Sequence, residues 1–324
     1  MMKSTEPSAL ARMYAWHRPL MAVAALMVPL TIVCIIGLIF DPREITEAAA
    51  WAKPLKFSVS ILLYTVTWAW LIAHLPRWQK IAHTAGTIMA VALIIEQTAI
   101  VGAAAAGTTS HFNVSSPFAT AVWAIMAISI TVLYVCTFVT TIALMFMKLP
   151  TRSLTFALRA GAVLGLVGLG LAYLMTGPSG TQVSNFEGVV GAHTVGLADG
   201  GPQLPVLGWS TVAGDLRIPH FIGMHALQLL PLLAILLNSL GRKWSALSLD
   251  KTRLQLMVVA AAVFAATLLV VTFQALSGQS IVQPAGIFLV AGWLIVASGI
   301  IASTTILVIG ARAARAESVV AVQS

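Results

Sequence analysis

Charge is what this sequence has least of. Only 9% of its 324 residues are Asp, Glu, Lys or Arg, whereas a soluble domain carries about a quarter. So few hydrated groups cannot cover a globular surface, which excludes a soluble enzyme or binding module. Cysteine is nearly absent. The two present, Cys34 and Cys136, each lie inside an apolar run, and the span order below sends them toward opposite leaflets, so no disulfide between them is expected. Acids are scarcer than bases, ten against eighteen Lys and Arg. The bases stand in small groups between apolar runs, without a basic stripe or aromatic platform, so nucleic acid is not a partner and the charge reads as a topology signal. No CxxCH, HExxH or HxxxH motif occurs, and no repeat of the 20 to 50 residue class is visible.

What the sequence has is apolar length. Runs able to cross about 30 Å of hydrocarbon, roughly 20 residues each, are Pro19–Phe40, Pro54–Leu75, Ile81–Gly107, Pro117–Met147, Phe156–Thr176, Pro219–Leu240, Leu254–Leu276 and Pro284–Gly310. The expected fold is therefore all-α: a polytopic membrane bundle of about eight helices over 19–310, with a long loop at 177–217. An N-terminal segment, 1–18, and a tail, 311–324, flank it. The first run is too long for a signal-peptide core and lacks a small-residue cleavage pattern, so it is kept as a span. Fourteen of the eighteen basic residues fall in alternate connections: Lys3, Arg12 and Arg18; Arg77 and Lys80; Lys148, Arg152 and Arg159; Arg242, Lys243, Lys251 and Arg253; Arg312 and Arg315. The positive-inside rule then places both termini in the cytoplasm. An even number of spans permits a parallel repeat of the first four on the last four. Only a faint echo of Pro54-Leu55-Lys56-Phe57 in Pro219-His220-Phe221, one residue out of register, speaks for it.

The outer connections collect the chemistry. Six of the ten acids fall there, together with His111, His193, His220 and His225. In the sixth run, at about 100° per residue, Arg217, His220, His225, Gln228 and Asn238 fall within a sector of about 140°. Each such group is costly against lipid, so this face should look into the bundle or a wet cavity. Pro219 suits a first helical turn and Asp215 a cap. The alternative for His220 is a plain interfacial residue. Glu96 lies near the middle of the third run, where an unpaired carboxylate is expensive. Ala85, Ala92, Ala99 and Ala103 share its side of the helix, so it should point inward, as a proton carrier, a metal ligand or a partner of Arg217 or Lys56.

Asp41-Pro42-Arg43-Glu44 reads as a helix start with Asp41 as cap and Glu44 bonding back, followed by an interfacial stretch to Trp51. Lys53 and Lys56 flank Pro54 where ammonium groups snorkel outward, with neutralisation of Glu96 as the alternative for Lys56. Gln274 shares a face of the seventh run with Thr267. Gly161, Gly165 and Gly168 give the fifth run small-residue spacing, for packing inside the bundle or for a homodimer contact. The loop from Gly177 to Arg217 is long enough to be functional or disordered, and its apolar Gly188–Gly196 stretch suits a lid over the bundle mouth.

Trp51-x-Lys53-Pro54-x-Lys56-Phe57, Ser110-His111-Phe112-Asn113, Gly191-Ala192-His193-Thr194-Val195-Gly196 and Gly214-Asp215-Leu216-Arg217 through His220-Phe221 to His225-Ala226-Leu227-Gln228 resemble a group of uncharacterised bacterial multi-pass membrane proteins. The resemblance runs roughly from Asp41 to Pro231. It implies a bacterial inner-membrane location and carries no reaction with it.

Three functions fit these residues. The first is a metal or haem site, with haem b or a divalent transition metal held by His111, His193, His220 or His225 and Glu96, for redox or hydrolytic chemistry in which Asp215 and Arg217 are further catalytic candidates. The second is a proton-coupled small-molecule transporter in which Glu96 titrates and Lys53, Lys56, His225, Gln228 and Gln274 line the path; the scarcity of polar groups in the inner halves of the helices stands against it. The third is a ligand-binding receptor or a subunit of a membrane complex, in which short inner loops leave signalling to a partner protein.

Overall fold

The computed structural model describes residues 8–323, with side chains described as far as residue 316; Lys3 lies outside the described residues. The chain is all-α apart from two two-stranded ribbons. Seven helices are long and apolar enough to cross a membrane, and the helix pair Arg217–Met224 and Ala226–Leu240, bent by 43°, makes eight if it forms one span. The chain divides into two compact units. One comprises the chain up to Phe146 with Met175–Ala192 and Ala198–Ser210; the other comprises Met147–Leu174, His193–Leu197 and the chain from Thr211 onward.

The first unit begins with a short helix α1 (Ala9–Tyr14) and contains α2 (Arg18–Phe40), α3 (Ala52–Ala73), α4 (Gln79–Ala105) and α5 (Pro117–Leu144). Ser116 caps α5 by accepting the Ala119 N–H at 3.2 Å, with Pro117 in the first turn, where its missing N–H costs nothing. The helix expected at Asp41 does not form. Asp41 instead accepts the Arg43 N–H at 3.1 Å, its guanidinium Nε at 3.0 Å and the Trp51 indole N–H at 2.8 Å. With the side chain drawn into that return, the backbone forms a hairpin of β1 (Glu44–Ile45) on β2 (Ala48–Ala49), turning through Thr46 and Glu47 at positive φ. Arg43 also donates to the Ala105 carbonyl at 2.9 Å, satisfying an orphan acceptor at the end of α4.

The second unit contains α6 (Arg152–Leu171), α8 (Arg217–Met224), α9 (Ala226–Leu240), α10 (Asp250–Leu276) and α11 (Gly286–Gln323). The short α7 (Gly180–Ser184) belongs to the first. Helix α11 runs on through most of the expected tail. The glycine stripe of α6 is buried against the α8–α9 junction: a Cβ on Gly168 would lie 2.2 Å from the Met224 nitrogen, and one on Gly161 would lie 2.7 Å from the Ala226 oxygen. The stripe thus packs inside the unit, the first of its two expected uses, and is not open to a dimer partner. Further along, Ala157, Leu230, Ala234, Met257 and Ala261 form the apolar core.

The two units share one pattern of helix neighbours. In the first, α2 packs on α3, α3 on α4, α4 on α5, and α2 also reaches α4. In the second, α6 packs on α8 and α9, these on α10, α10 on α11, and α6 also reaches α10. An Asp-x-Arg ion pair precedes the second long segment of each: Asp41 with Arg43, and Asp215 with Arg217.

Candidate functional site

The site of the first unit is built around His111. Glu96 faces inward as expected from its alanine neighbours and is 1% exposed. Its Oε1 lies 3.4 Å from Nε2 of His111, while its buried Oε2 has no hydrogen-bond partner. On the other side of the imidazole, Lys53 Nζ lies 3.1 Å and Ser110 Oγ 3.0 Å from Nδ1. An ammonium group can only donate, so Nδ1 accepts and Nε2 carries the hydrogen toward Glu96. Lys53 therefore turns to the site and does not snorkel away from it. Lys56 has a different task, donating to the Leu207 carbonyl at 2.7 Å. Beside Glu96, Gln97 is buried, and its amide nitrogen donates to the Pro54 carbonyl at 3.3 Å.

Three aromatic rings surround the imidazole, with centroids at 6.0 Å for Phe57, 5.9 Å for Phe112 and 5.4 Å for Trp123. They leave the His111 side chain 16% exposed. The turn carrying it is held by the long loop. Val190 N–H donates to the Phe112 carbonyl at 2.9 Å and Val114 N–H to the Gly188 carbonyl at 2.8 Å. Phe112 adopts φ 64°, a left-handed conformation that bulky residues avoid. Its ring packs so closely on Gly191 that a Cβ there would lie 2.6 Å away. Gly188–Ala192 is thus neither disordered nor detached; it is the clamp that fixes the His111 turn.

The unit holds other buried polar groups that the sequence reading passed over. Tyr64 and Thr137 share a 2.6 Å hydrogen bond, with the Met89 sulfur 3.6 Å from the Tyr64 hydroxyl. Thr137 and Thr140 also donate to the carbonyls of Leu133 and Cys136 on their own helix. The interior is therefore less apolar than expected, though buried Leu93 stands along α4 between Met89 and Glu96.

The second unit assembles the remaining candidates. Asp215 is 1% exposed and accepts from the Arg217 backbone at 3.0 Å and from its Nε at 2.9 Å. The helix cap expected of Asp215 is not formed as such: the N-cap of α8 is Leu216, and Asp215, two residues before the helix, closes a turn onto the Arg217 N–H as Asp41 does onto Arg43. Strand β4 (Gly214–Asp215) pairs antiparallel with β3 (Thr194–Val195), and Leu216 N–H donates to the His193 carbonyl at 2.8 Å, so His193 is anchored at the start of α8. His220 Nδ1 donates to the Gly168 carbonyl at 2.8 Å, which leaves Nε2 as an acceptor. Both His193 and His225 come within electrostatic reach of His220. His225 is bonded by Gln228.

The expected single polar stripe is corrected here. It assumed one straight helix, whereas α8 ends and α9 begins at His225. Asn238 instead serves the far end of α9, donating to Thr151 Oγ1 at 3.3 Å. Gln274 is buried and donates to the Ser280 carbonyl at 2.9 Å, closing the loop after α10. Among the described residues no three His, Cys, Asp or Glu side chains are grouped so as to hold a metal ion. The ligand set expected from His220, His225, His111 and Glu96 does not assemble within either unit, because Glu96 and His111 fall in the first and His220 and His225 in the second. No family model, curated protein or solved structure matches the chain.

Proposed function

We propose that this chain is a proton-coupled small-molecule transporter of the bacterial inner membrane, crossing it eight times with both ends in the cytoplasm. The alternating distribution of Lys and Arg supports that orientation. The observation that carries the transport reading is the series Lys53, His111, Glu96. It leads from a half-buried ammonium through an imidazole to a carboxylate oxygen with no partner, deep in the first unit.

Buried ionisable groups in a span mark ion pathways and proton relays. In this series a proton passes from Lys53 to Nδ1 of His111 while the Nε2 proton passes to Glu96. The imidazole changes tautomer, and its ring need not turn. The clamp of Gly188–Ala192 on the His111 turn walls the relay and holds the imidazole in place. Two further features agree with transport: four-helix units of like connectivity, and a span broken at His225, the irregularity transporters place at their binding sites.

The test uses the purified chain in liposomes enclosing a pH-sensitive dye, with an imposed pH gradient and a panel of small amines, amino acids and carboxylic acids. The expected result is substrate-dependent proton movement that Glu96→Gln abolishes, with substrate exchange between the two sides retained. Proton-coupled uptake that survives Glu96→Gln, or no proton movement with any member of the panel, overturns the reading.

A further inference from the structure

At the end of α4 remote from Glu96 stands a second pair of imidazoles. His17 is 1% exposed, although it precedes α2 and lies outside every span. Both of its ring nitrogens are engaged. Nδ1 accepts the Leu20 N–H at 3.3 Å, which makes His17 the cap of α2, and Nε2 donates to the His83 carbonyl at 2.9 Å. This fixes the neutral tautomer with its proton on Nε2. The ring lies against the exposed His83 ring, with centroids 4.2 Å apart. Gly86 leaves the space for it, since a Cβ there would lie 2.8 Å from His17 Nε2.

Serine, threonine, asparagine and aspartate are the ordinary helix caps. A buried histidine in that role makes the cap depend on protonation: a proton on Nδ1 removes the lone pair that accepts the Leu20 N–H. Leu20 itself is fully buried, so a cap that lets go disturbs the packed start of α2. The charged and titratable groups around the pair are few. His83 faces His17 from α4, Arg18 follows it as an exposed residue, and His74 at the end of α3 stacks on Trp16 and Trp70. No carboxylate is among these groups. A proton taken by His17 is therefore not neutralised by any of these groups, and the neighbouring His83 opposes it.

We propose that His17, set against the His83 ring and carbonyl, is a second proton-binding site of the first unit, and that a proton on its ring releases the cap of α2. It rests on the transport reading for its purpose, as the point where the coupling proton meets the side of the membrane opposite Glu96. The two sites are 13 residues apart on α4, roughly 20 Å at the helical rise. Burial, the largest influence on His17, lowers its pKa below the ordinary imidazole value, with the neighbouring His83 acting in the same direction. His83 is the exposed member and gives the pair its access to water.

The experiment uses the full chain in lipid nanodiscs with 15N-labelled histidine, titrated from pH 8 to 4, about two units either side of the free imidazole value. The His17 signal is identified by its loss in His17→Asn, a substitution that keeps a capping acceptor and removes the titration. The expected result is one titrating signal that starts as the Nε2–H tautomer and moves below the free imidazole value. The melting temperature of the wild type should fall over the same range, and that fall should flatten in His17→Asn. His17→Ala, which has no acceptor, should melt lower at every pH. A His17 signal that titrates at or above the free imidazole value, or a melting profile that His17→Asn leaves unchanged, overturns the site. Proton flux separates the two proposals: a wild type without flux whose His17 titrates as described removes the transport reading and leaves the site, whereas flux with an inert His17 does the reverse.

Discussion

Alanine substitutions along the glycine stripe of α6 test how tightly that helix meets the break between α8 and α9. In a helix, Gly→Ala ordinarily gains about 1 kcal/mol from backbone entropy. At Gly165 the nearest atoms to a new Cβ are the Leu227 Cβ and the Met224 oxygen, both at 3.5 Å, which is ordinary contact. Gly165→Ala should therefore be neutral or slightly stabilising. At Gly168 the new Cβ meets the Met224 nitrogen at 2.2 Å and Gly223 carbon atoms at 2.3 and 2.5 Å. These are backbone atoms with no rotamer to escape into, so α6 or the junction must move. Overpacking of this kind costs about 1–3 kcal/mol. Displacing the Gly168 carbonyl also breaks its bond to His220, about another 1 kcal/mol. The net loss should be about 1–3 kcal/mol after the propensity gain. Gly161→Ala, with its closest atom the Ala226 oxygen at 2.7 Å, should fall between the two. The assay is reversible unfolding in mixed micelles titrated with a denaturing detergent, with His220 followed by 15N NMR. Equal stabilities for Gly165→Ala and Gly168→Ala, or an unshifted His220 signal in the latter, would refute the proposed close packing.

Two further perturbations probe the clasps that hold each unit. Asp250 accepts the Arg152 N–H at 2.9 Å, the Ser153 N–H at 3.3 Å and the Ser153 hydroxyl at 2.7 Å, so one carboxylate caps α6 from the start of α10. Asp250→Asn should cost about 1–2 kcal/mol in the same detergent titration, and Asp250→Ala should cost more. Hydrogen bonds from Arg43 and then Trp51 hold the Asp41 carboxyl well below the ordinary carboxylate range. A depressed folded-state pKa stabilises above the unfolded value and ceases to do so as pH falls through the folded one. The melting temperature should thus drop as pH goes below about 4, the unfolded carboxylate value, and Asp41→Asn should remove that part of the slope.

How far the sequence could be read depended on whether a feature is local. Apolar length is local, and the long helices before α11 begin and end within about five residues of the expected runs, with Ser116-Pro117 starting α5 as its capping chemistry requires; α11 runs 13 residues past its expected end. Glu96 was legible for a related reason: a lone carboxylate among alanines on one helix face has only one direction in which it is tolerable. What could not be read depends on partners distant in sequence. The break at His225 is one such feature: it lies where the Gly223–Met224 backbone presses against α6 at Gly168, 57 residues earlier, whose missing Cβ permits the approach. Trp123 was overlooked as a wall of the His111 site because nothing within α5 distinguishes it from a lipid-facing aromatic. His17 was overlooked because it stands among basic residues whose value for topology hid its value as a cap.

The same distinction bears on the likeness of the two units. Their helix adjacencies agree, yet their sequences show almost no echo. Adjacency in a bundle is set by helix length and loop length, and these place few demands on residue identity when every surface is apolar. What identity does control is where charge can be buried. The first unit brings together Lys53 at the start of α3, Glu96 within α4 and His111 in the turn after it, and the second unit places His193, His220 and His225 around the start of its second segment. In both, an Asp-x-Arg pair is bound into the backbone just before that segment, so the acid and the guanidinium hold the local chain and neutralise each other. The remaining ionisable groups are left to act alone. In the first unit that group is a carboxylate with a proton-bearing imidazole beside it, whereas in the second it is a set of imidazoles with no neighbouring acid free of its arginine. In the proposed transporter, proton coupling is assigned to the first unit: Glu96→Gln should abolish it, while substitution of His220 or His225 should alter which substrates are accepted and leave proton movement with the remaining ones intact.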